Sequence, residues 1–122
     1  MPAAWWAICS ATLSAAKQMG FQRVIAVFQP FTYSRTKLLL KEFARVLQIA
    51  DQVVMSEIMG SRETNDAFHI YTADLAALIP GSVWFPDFDG IVEYIGKNAQ
   101  KGDLVITLGC GDIYKAAKRM IV

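Results

Sequence analysis

Four short β-prone runs alternate along this chain with segments whose apolar residues fall three or four apart, and that alternation most limits what it can fold into. Arg23-Val24-Ile25-Ala26-Val27-Phe28 is a short, continuous β-prone run of the kind that suits a strand buried on both faces. Asp51-Gln52-Val53-Val54-Met55, Ser82-Val83-Trp84-Phe85 and Leu104-Val105-Ile106-Thr107-Leu108 read as further strands. Between the first two, Ser34 is a candidate N-cap for a helix over residues 34–49. Its Leu39, Phe43, Val46, Leu47 and Ala50 share one face, opposite Lys37, Lys41, Arg45 and Gln48. Thr72 is placed to cap a helix bearing Leu75, Leu78 and Ile79 that Pro80 stops, and Asp87 or Asp89 starts one bearing Ile91, Val92 and Ile95. Residues 9–19 form an opening helix ended by Gly20, and residues 113–120 a closing one. Strands separated by helices and joined by short loops give right-handed crossovers. The expected fold is therefore a Rossmann-like, three-layer α/β domain with a mostly parallel sheet flanked by helices.

At 122 residues, 54% of them hydrophobic, the chain reads as one domain over residues 1–122, large enough to bury a core without disulfides. Twelve basic against eleven acidic residues leave a net charge of +1, so no electrostatic footprint marks nucleic acid as a partner. No run of about 20 apolar residues suggests a membrane span. The first thirteen residues are apolar but open without a basic stretch, which argues against export. Cys9 and Cys110 stand far apart, offering neither a disulfide framework nor a zinc clasp, and His69 is the single histidine; no metal site is expected, and a reducing cytoplasm fits.

In open parallel sheets ligands bind beyond the carboxyl ends of the strands. That rule singles out three loops, at residues 29–35, 57–66 and 109–112. The first enters a helix N-terminus, where free N–H groups and the dipole favour an anion. Arg35 adds a fork of donors suited to carboxylate or phosphate, amid the hydroxyls of Thr32, Tyr33, Ser34 and Thr36. Equally, Ser34 or Thr36 could merely cap the helix and Arg35 be solvated. In the middle loop Glu57, Arg62, Glu63 and Asp66 could hold the amine and carboxylate of an amino acid, or form an ordinary charged surface. In the last, Gly109-Cys110-Gly111-Asp112 allows close backbone approach, and Asp112 can cap the final helix. It lacks the third glycine of a dinucleotide fingerprint, and no Gly-x-x-x-x-Gly-Lys-Ser/Thr loop or Gly-x-Ser-x-Gly elbow occurs. No complete catalytic set can be assembled from these residues. His69 reads as a loop or core residue, and Trp5, Trp6 and Trp84 as packing aromatics.

Two stretches carry a family resemblance. Phe28-Gln29-Pro30-Phe31-Thr32-Tyr33-Ser34-Arg35-Thr36 and the run from Gly102 through Gly109-Cys110-Gly111-Asp112 to Lys115 resemble the C-terminal domain of the bacterial Mur ligases, in the branch that adds L-alanine to UDP-N-acetylmuramate. The resemblance extends from about Ala11 to the C-terminus. It implies an ATP-dependent ligase of peptidoglycan precursor synthesis, in which the sugar's carboxylate becomes an acyl phosphate that the amine of L-alanine attacks. In the family, central and N-terminal domains hold ATP, Mg2+ and the UDP-sugar. The C-terminal domain helps bind the amino acid and closes over ATP, keeping water from the acyl phosphate. The resemblance puts Arg35 at the substrate, supported by Tyr33, Ser34 and Thr36, with Arg62, Glu63, Gly109, Gly111 and Asp112 on neighbouring loops. This domain alone is expected to hold no cofactor and to be inactive.

Residues 1–10 depart from the family pattern, which has His-His-Pro where Ala4, Trp5 and Trp6 stand; Phe31 and Thr32 replace a His and a basic residue. Met1 at a domain border therefore suggests a detached fragment. A stand-alone module binding a nucleotide or amino acid, and an interaction domain docking through Trp5 and Trp6, are the alternatives.

Overall fold

The computed structural model describes residues 5–109 and 112–120, with Trp5 and Trp6 described by backbone alone. In chain order the elements are α1 (Trp5–Lys17), β1 (Arg23–Phe28), α2 (Tyr33–Leu38), α3 (Leu40–Leu47), β2 (Gln52–Ser56), α4 (Thr72–Ala76), β3 (Val83–Phe85), α5 (Phe88–Asn98), β4 (Asp103–Leu108) and α6 (Tyr114–Met120). The strands form one four-stranded sheet in the order β3-β2-β1-β4, every pair parallel. This is the expected Rossmann-like arrangement, and the sheet is parallel throughout.

The two-residue period of a strand explains how one chain builds two cores. Val24, Ala26 and Phe28 of β1 face one side with Val53 and Met55 of β2, and meet Cys9, Leu13, Phe43, Val46, Leu47, Leu75 and Ile79 from α1, α3 and the α4 region. Ile25, Val27 and Val54 face the other side and meet Ile91, Ile95, Ile113 and Ala116 around α5 and α6. Phe28 and Phe43 anchor the first core with ring centroids 5.2 Å apart. Both faces of β1 are thus sealed, which is why its sequence shows no polar alternation.

The expected helix over residues 34–49 is instead two helices, α2 and α3, meeting at Leu39 (φ −107°, ψ 20°). No glycine or proline causes the break. Leu39 N–H still donates to the Arg35 carbonyl, and the Leu39 carbonyl accepts from Phe43, each at 2.9 Å. Leu39 and Leu40 both pack against the core, whereas neighbours on an unbroken helix point about 100° apart. The deviation at Leu39 accommodates both. The opposed faces of α3 match expectation, with Phe43, Val46 and Leu47 buried and Lys41, Arg45 and Gln48 exposed.

Three expected caps fall elsewhere. Thr32, not Ser34, caps α2, its Oγ1 accepting from Arg35 N–H at 3.3 Å. Thr72 is the first residue of α4 rather than its cap, and its hydroxyl donates 2.8 Å to the Ser56 carbonyl, fastening the helix to the end of β2. The Asp112 carboxylate accepts from the Gln29 side chain at 3.0 Å instead of closing the turn that begins α6. Asp87 does cap α5, accepting from Gly90 N–H at 2.9 Å. The opening helix begins at Trp5, earlier than residue 9, and Gly20 follows its end at φ +84°, a conformation glycine adopts without steric cost.

Ion pairs sit where the strands begin. Arg23 forks onto Asp103 through Nε and Nη2 at 3.2 and 2.7 Å, and Lys17 meets Asp51 at 2.7 Å. Asp51 also accepts from Val24 N–H at 2.7 Å. These contacts hold both carboxylates below the ordinary aspartate range, Asp103 chiefly through Arg23 and Asp51 chiefly through Lys17.

Candidate functional site at the carboxyl ends of the strands

The three loops beyond the strand ends do converge. Loops 29–35 and 57–66 extend the β1–β2 pairing by a parallel bridge between Phe31 and Met59. Thr32 N–H donates to the Met59 carbonyl, and Met59 N–H to the Pro30 carbonyl, both at 2.8 Å. Gly60 lies under the Tyr33 ring, where a Cβ would come 2.6 Å from Cε2. Any larger residue there would push Tyr33 away.

Glu63 fastens the same two loops. Its carboxylate accepts from both the N–H (2.9 Å) and the hydroxyl of Ser34, in the first turn of α2. These two bonds, with a smaller contribution from the nearby Arg35 charge, lower the Glu63 pKa below the ordinary glutamate value. Glu63 therefore occupies the anion position at this helix start with a carboxylate of the chain itself.

Thr32 carries the strain of this loop. Its φ of 61° and ψ of 147° lie in a region close to glycine's own. Four contacts hold it there: its N–H to Met59, its Oγ1 to Arg35 N–H, and its carbonyl accepting Thr36 N–H (3.2 Å) and Thr36 Oγ1 (2.7 Å). Thr36 is buried and supports the loop from below. Tyr33, Ser34 and Arg35 are half-buried at the surface of the site. Among the described residues the Arg35 guanidinium makes no ion pair or hydrogen bond, in contrast to Arg23 and Lys17 at the opposite ends of the strands.

The third loop joins through Gln29. Its N–H donates 3.0 Å to the Leu108 carbonyl, its side-chain Nε2 donates to Asp112, and Gly109 packs so closely that a Cβ would lie 3.3 Å from the Gln29 Cβ. Cys110 and Gly111 lie outside the described residues. Arg62 and Asp66 are exposed on the middle loop beside Ser61, whose φ is +57°. His69 is an exposed loop residue, and Trp84 is 39% exposed rather than packed inside. The sequence pattern did not mark Gln29, which is 3% exposed with its Oε1 unpartnered. The signal was an amide directly after a strand apolar at every position but its first and before Pro30, at the carboxyl end where ligands bind.

A cleft of about 280 Å³ opens beside Gln29 at the ends of β1, β2 and β3. A larger groove of about 600 Å³ between β4, α5 and α6 is mostly apolar, and its one charged residue, Arg119, is paired with Asp89 at 2.6 Å. Among the described residues no cluster of three or more His, Cys, Asp or Glu could hold a metal ion, and no helix is long and apolar enough to cross a membrane.

A four-stranded parallel sheet with helices packed on both faces defines an α/β domain of Rossmann type. The Mur ligase, glutamate ligase domain family matches residues 7–111, and the chain belongs to that family. It is 44% identical over 115 residues to a UDP-N-acetylmuramate–L-alanine ligase of Acetivibrio thermocellus, covering 91% of this chain and 24% of that protein. The protein of that name from Lachnospira eligens is 47% identical over 115 residues, covering 91% and 25%. The chain thus spans about a quarter of the length of these relatives. In fold it is similar to a domain assigned to a UDP-N-acetylmuramate:L-alanyl-γ-D-glutamyl-meso-diaminopimelate ligase of Haemophilus ducreyi. The TM-score is 0.69 at 21% identity, over 95% of this chain and 80% of that one.

Proposed function

We propose that this chain is the amino-acid-handling and lid domain of an ATP-dependent ligase that joins L-alanine to UDP-N-acetylmuramate. The observation that carries the reading is the 34–47% identity to ligases of that name along nearly the whole chain. The geometry agrees with it, since the loops that the family resemblance marks are the ones that meet at the strand ends. Arg35 is the residue we assign to the substrate. Its free guanidinium would clamp a carboxylate or the acyl phosphate, while Tyr33, Ser34, Thr36 and Glu63 fix the loop that carries it. Arg62, Gly109 and Asp112 would complete the rim, as would Gly111, which lies outside the described residues.

The chain's own residues do not suit a nucleotide triphosphate or its magnesium ion. It lacks a phosphate-binding Gly-x-x-x-x-Gly-Lys-Ser/Thr sequence, and among the described residues no three or more His, Cys, Asp or Glu gather to hold a metal ion. ATP, Mg2+ and the UDP-sugar would be held by further domains of the kind its longer relatives have room for. This domain's part would be to present the amine and keep water from the acyl phosphate. Nucleotide-linked substrates would put the reaction in the bacterial cytoplasm, in the peptidoglycan precursor synthesis that serves cell shape and division.

The test is phosphate release with ATP, Mg2+, UDP-N-acetylmuramate and L-alanine, measured for this chain alone and joined to the central and N-terminal domains of a relative. Silence alone with L-alanine-dependent release when joined supports the reading. Release that ignores L-alanine, or none in the joined protein, refutes it.

A further inference from the structure

We infer that the free edge of β4 is a self-association surface, along which a second copy of this chain pairs antiparallel, strand β4 against strand β4.

Strand β4 ends the sheet, and among the described residues it pairs with β1 alone. That pairing fixes which of its backbone groups are left over. The carbonyls of Gly102 and Leu108 accept from the N–H groups of Gln22 and Gln29, at 2.9 and 3.0 Å, so both face β1. Backbone groups alternate sides along a strand, so Leu104 and Ile106 also turn to β1. The N–H and C=O groups of Val105 and Thr107 therefore point away from the sheet.

Proteins commonly blunt such edges with shortness, proline or lysine. Edge strand β3 conforms, with three residues followed by Pro86. Strand β4 does not. It has six residues, without proline or a basic side chain, and its one charge, on Asp103, is held by Arg23. Its side chains are uncovered as well. Ile25 and Val27 are 1% and 0% exposed, yet their β4 neighbours Val105 and Thr107 are only half-buried. On the opposite face α1 packs on α3 and β1, and Leu104 and Ile106 are again half-buried.

The pattern is self-complementary, which favours a copy of the chain over an unrelated strand. A two-fold axis through Ile106, perpendicular to the sheet, sets Val105 opposite Thr107 of the second copy, and Thr107 opposite Val105. The outward N–H and C=O groups of each then meet as hydrogen-bonded pairs, and the two Ile106 residues meet as the closer, non-hydrogen-bonded pair. Such an axis keeps the faces of the sheet. Val105 and Thr107 of the copy would extend the apolar wall of the groove between β4, α5 and α6, and the two Ile106 side chains would cover each other on the other face. Because the paired strands run oppositely, the two Arg35 loops fall at opposite ends of the joined sheet and both stay open.

Sedimentation equilibrium of this chain between about 5 and 500 µM tests the inference. The mass is expected to rise from 13.5 kDa toward twice that value. Hydrogen exchange at the Val105 and Thr107 amides should slow at least about tenfold from the lowest concentration to the highest, while Ile106 and Leu108, bonded to β1, are protected at both. Thr107→Lys, on a half-buried side chain, places a charge at the contact and should weaken association about tenfold or more with the circular dichroism of the fold unchanged. Oxidised Ile106→Cys, in a Cys110→Ser background, should link two chains, since non-hydrogen-bonded partners bring their Cα atoms to about 4.5 Å, within disulfide reach. A mass of 13.5 kDa throughout would overturn the inference. Association that leaves the Val105 and Thr107 amides exchanging freely would overturn it too, by placing the contact elsewhere, and that readout needs no variant to fold.

Discussion

Helix α5 contains two glycines, and replacing each with alanine should move stability in opposite directions. Gly96 lies exposed in the last turn of the helix, with nothing within 4 Å of where its Cβ would be. Gly96→Ala gains helix propensity and removes backbone entropy from the unfolded chain, so it should stabilise by about 0.5–1 kcal/mol. Gly90 sits in the first turn, where a Cβ would come 2.8 Å from Phe85 Cδ1 and 3.1 Å from both Phe85 Cβ and Cγ. Phe85 has little room to withdraw. Its Cβ is held by strand β3, and its ring packs on Tyr94 with centroids 5.5 Å apart. Overpacking of this kind costs about 1–3 kcal/mol, more than the propensity returned, so Gly90→Ala should destabilise by about 1–2 kcal/mol. Urea unfolding followed by far-UV circular dichroism reads the difference directly. With a slope near 2 kcal/mol per molar, the two midpoints should separate by about 1 M, with wild type between them. If Gly90→Ala is stabilised as much as Gly96→Ala, then Phe85 does not pack on the start of α5 as described.

In the ligase joined from this chain and a relative's other domains, Arg35→Ala should lower turnover at least about 100-fold, the scale of a lost charged contact to the reacting groups; unchanged kinetics would remove Arg35 from the site. Glu63→Ala should speed hydrogen exchange at the Ser34 amide, which Glu63 accepts at 2.9 Å, and equal exchange rates would show that the two loops are held together by other contacts. Acid should weaken the fold through Asp51. Its folded pKa lies below the ordinary 3.8, so its stabilising effect is complete above that value and is lost as pH falls through the folded pKa. Urea midpoints should therefore hold steady from pH 7 to about 5 and fall below about pH 4, less steeply in Asp51→Asn; an identical acid limb in that variant would refute the Lys17–Asp51 contribution.

Much of this architecture is written in local spacing. The run from Arg23 to Phe28 is apolar at every position after the first because helices cover both faces of β1, and that pattern needs no tertiary knowledge to read. The buried face of α3 is equally plain, since a 3.6-residue period separates Phe43, Val46 and Leu47 from Lys41 and Arg45. The break at Leu39 was not legible, because three consecutive leucines at 38–40 satisfy any helical register and only packing decides which of them turn inward. Caps were misplaced for a related reason. Ser34, Thr72 and Asp112 all have the right chemistry for a helix start, but each found a partner distant in sequence: Glu63, Ser56 and Gln29.

The candidate site divides along the same line. Sequence alone determined that three loops leave the carboxyl ends of parallel strands, that one carries Arg35 among hydroxyls, and that no Gly-x-x-x-x-Gly-Lys-Ser/Thr sequence occurs. These follow from the order and spacing of residues along the chain. Only the tertiary structure decided that Glu63 is occupied with Ser34, that Thr36 is buried beneath a strained Thr32, and that Gln29 lies under the rim with an unpartnered oxygen. The reason is that hydrogen-bond satisfaction is settled between groups that meet across the sheet. Gln29 and Asp112 are 83 residues apart, and nothing in the sequence near either one names the other.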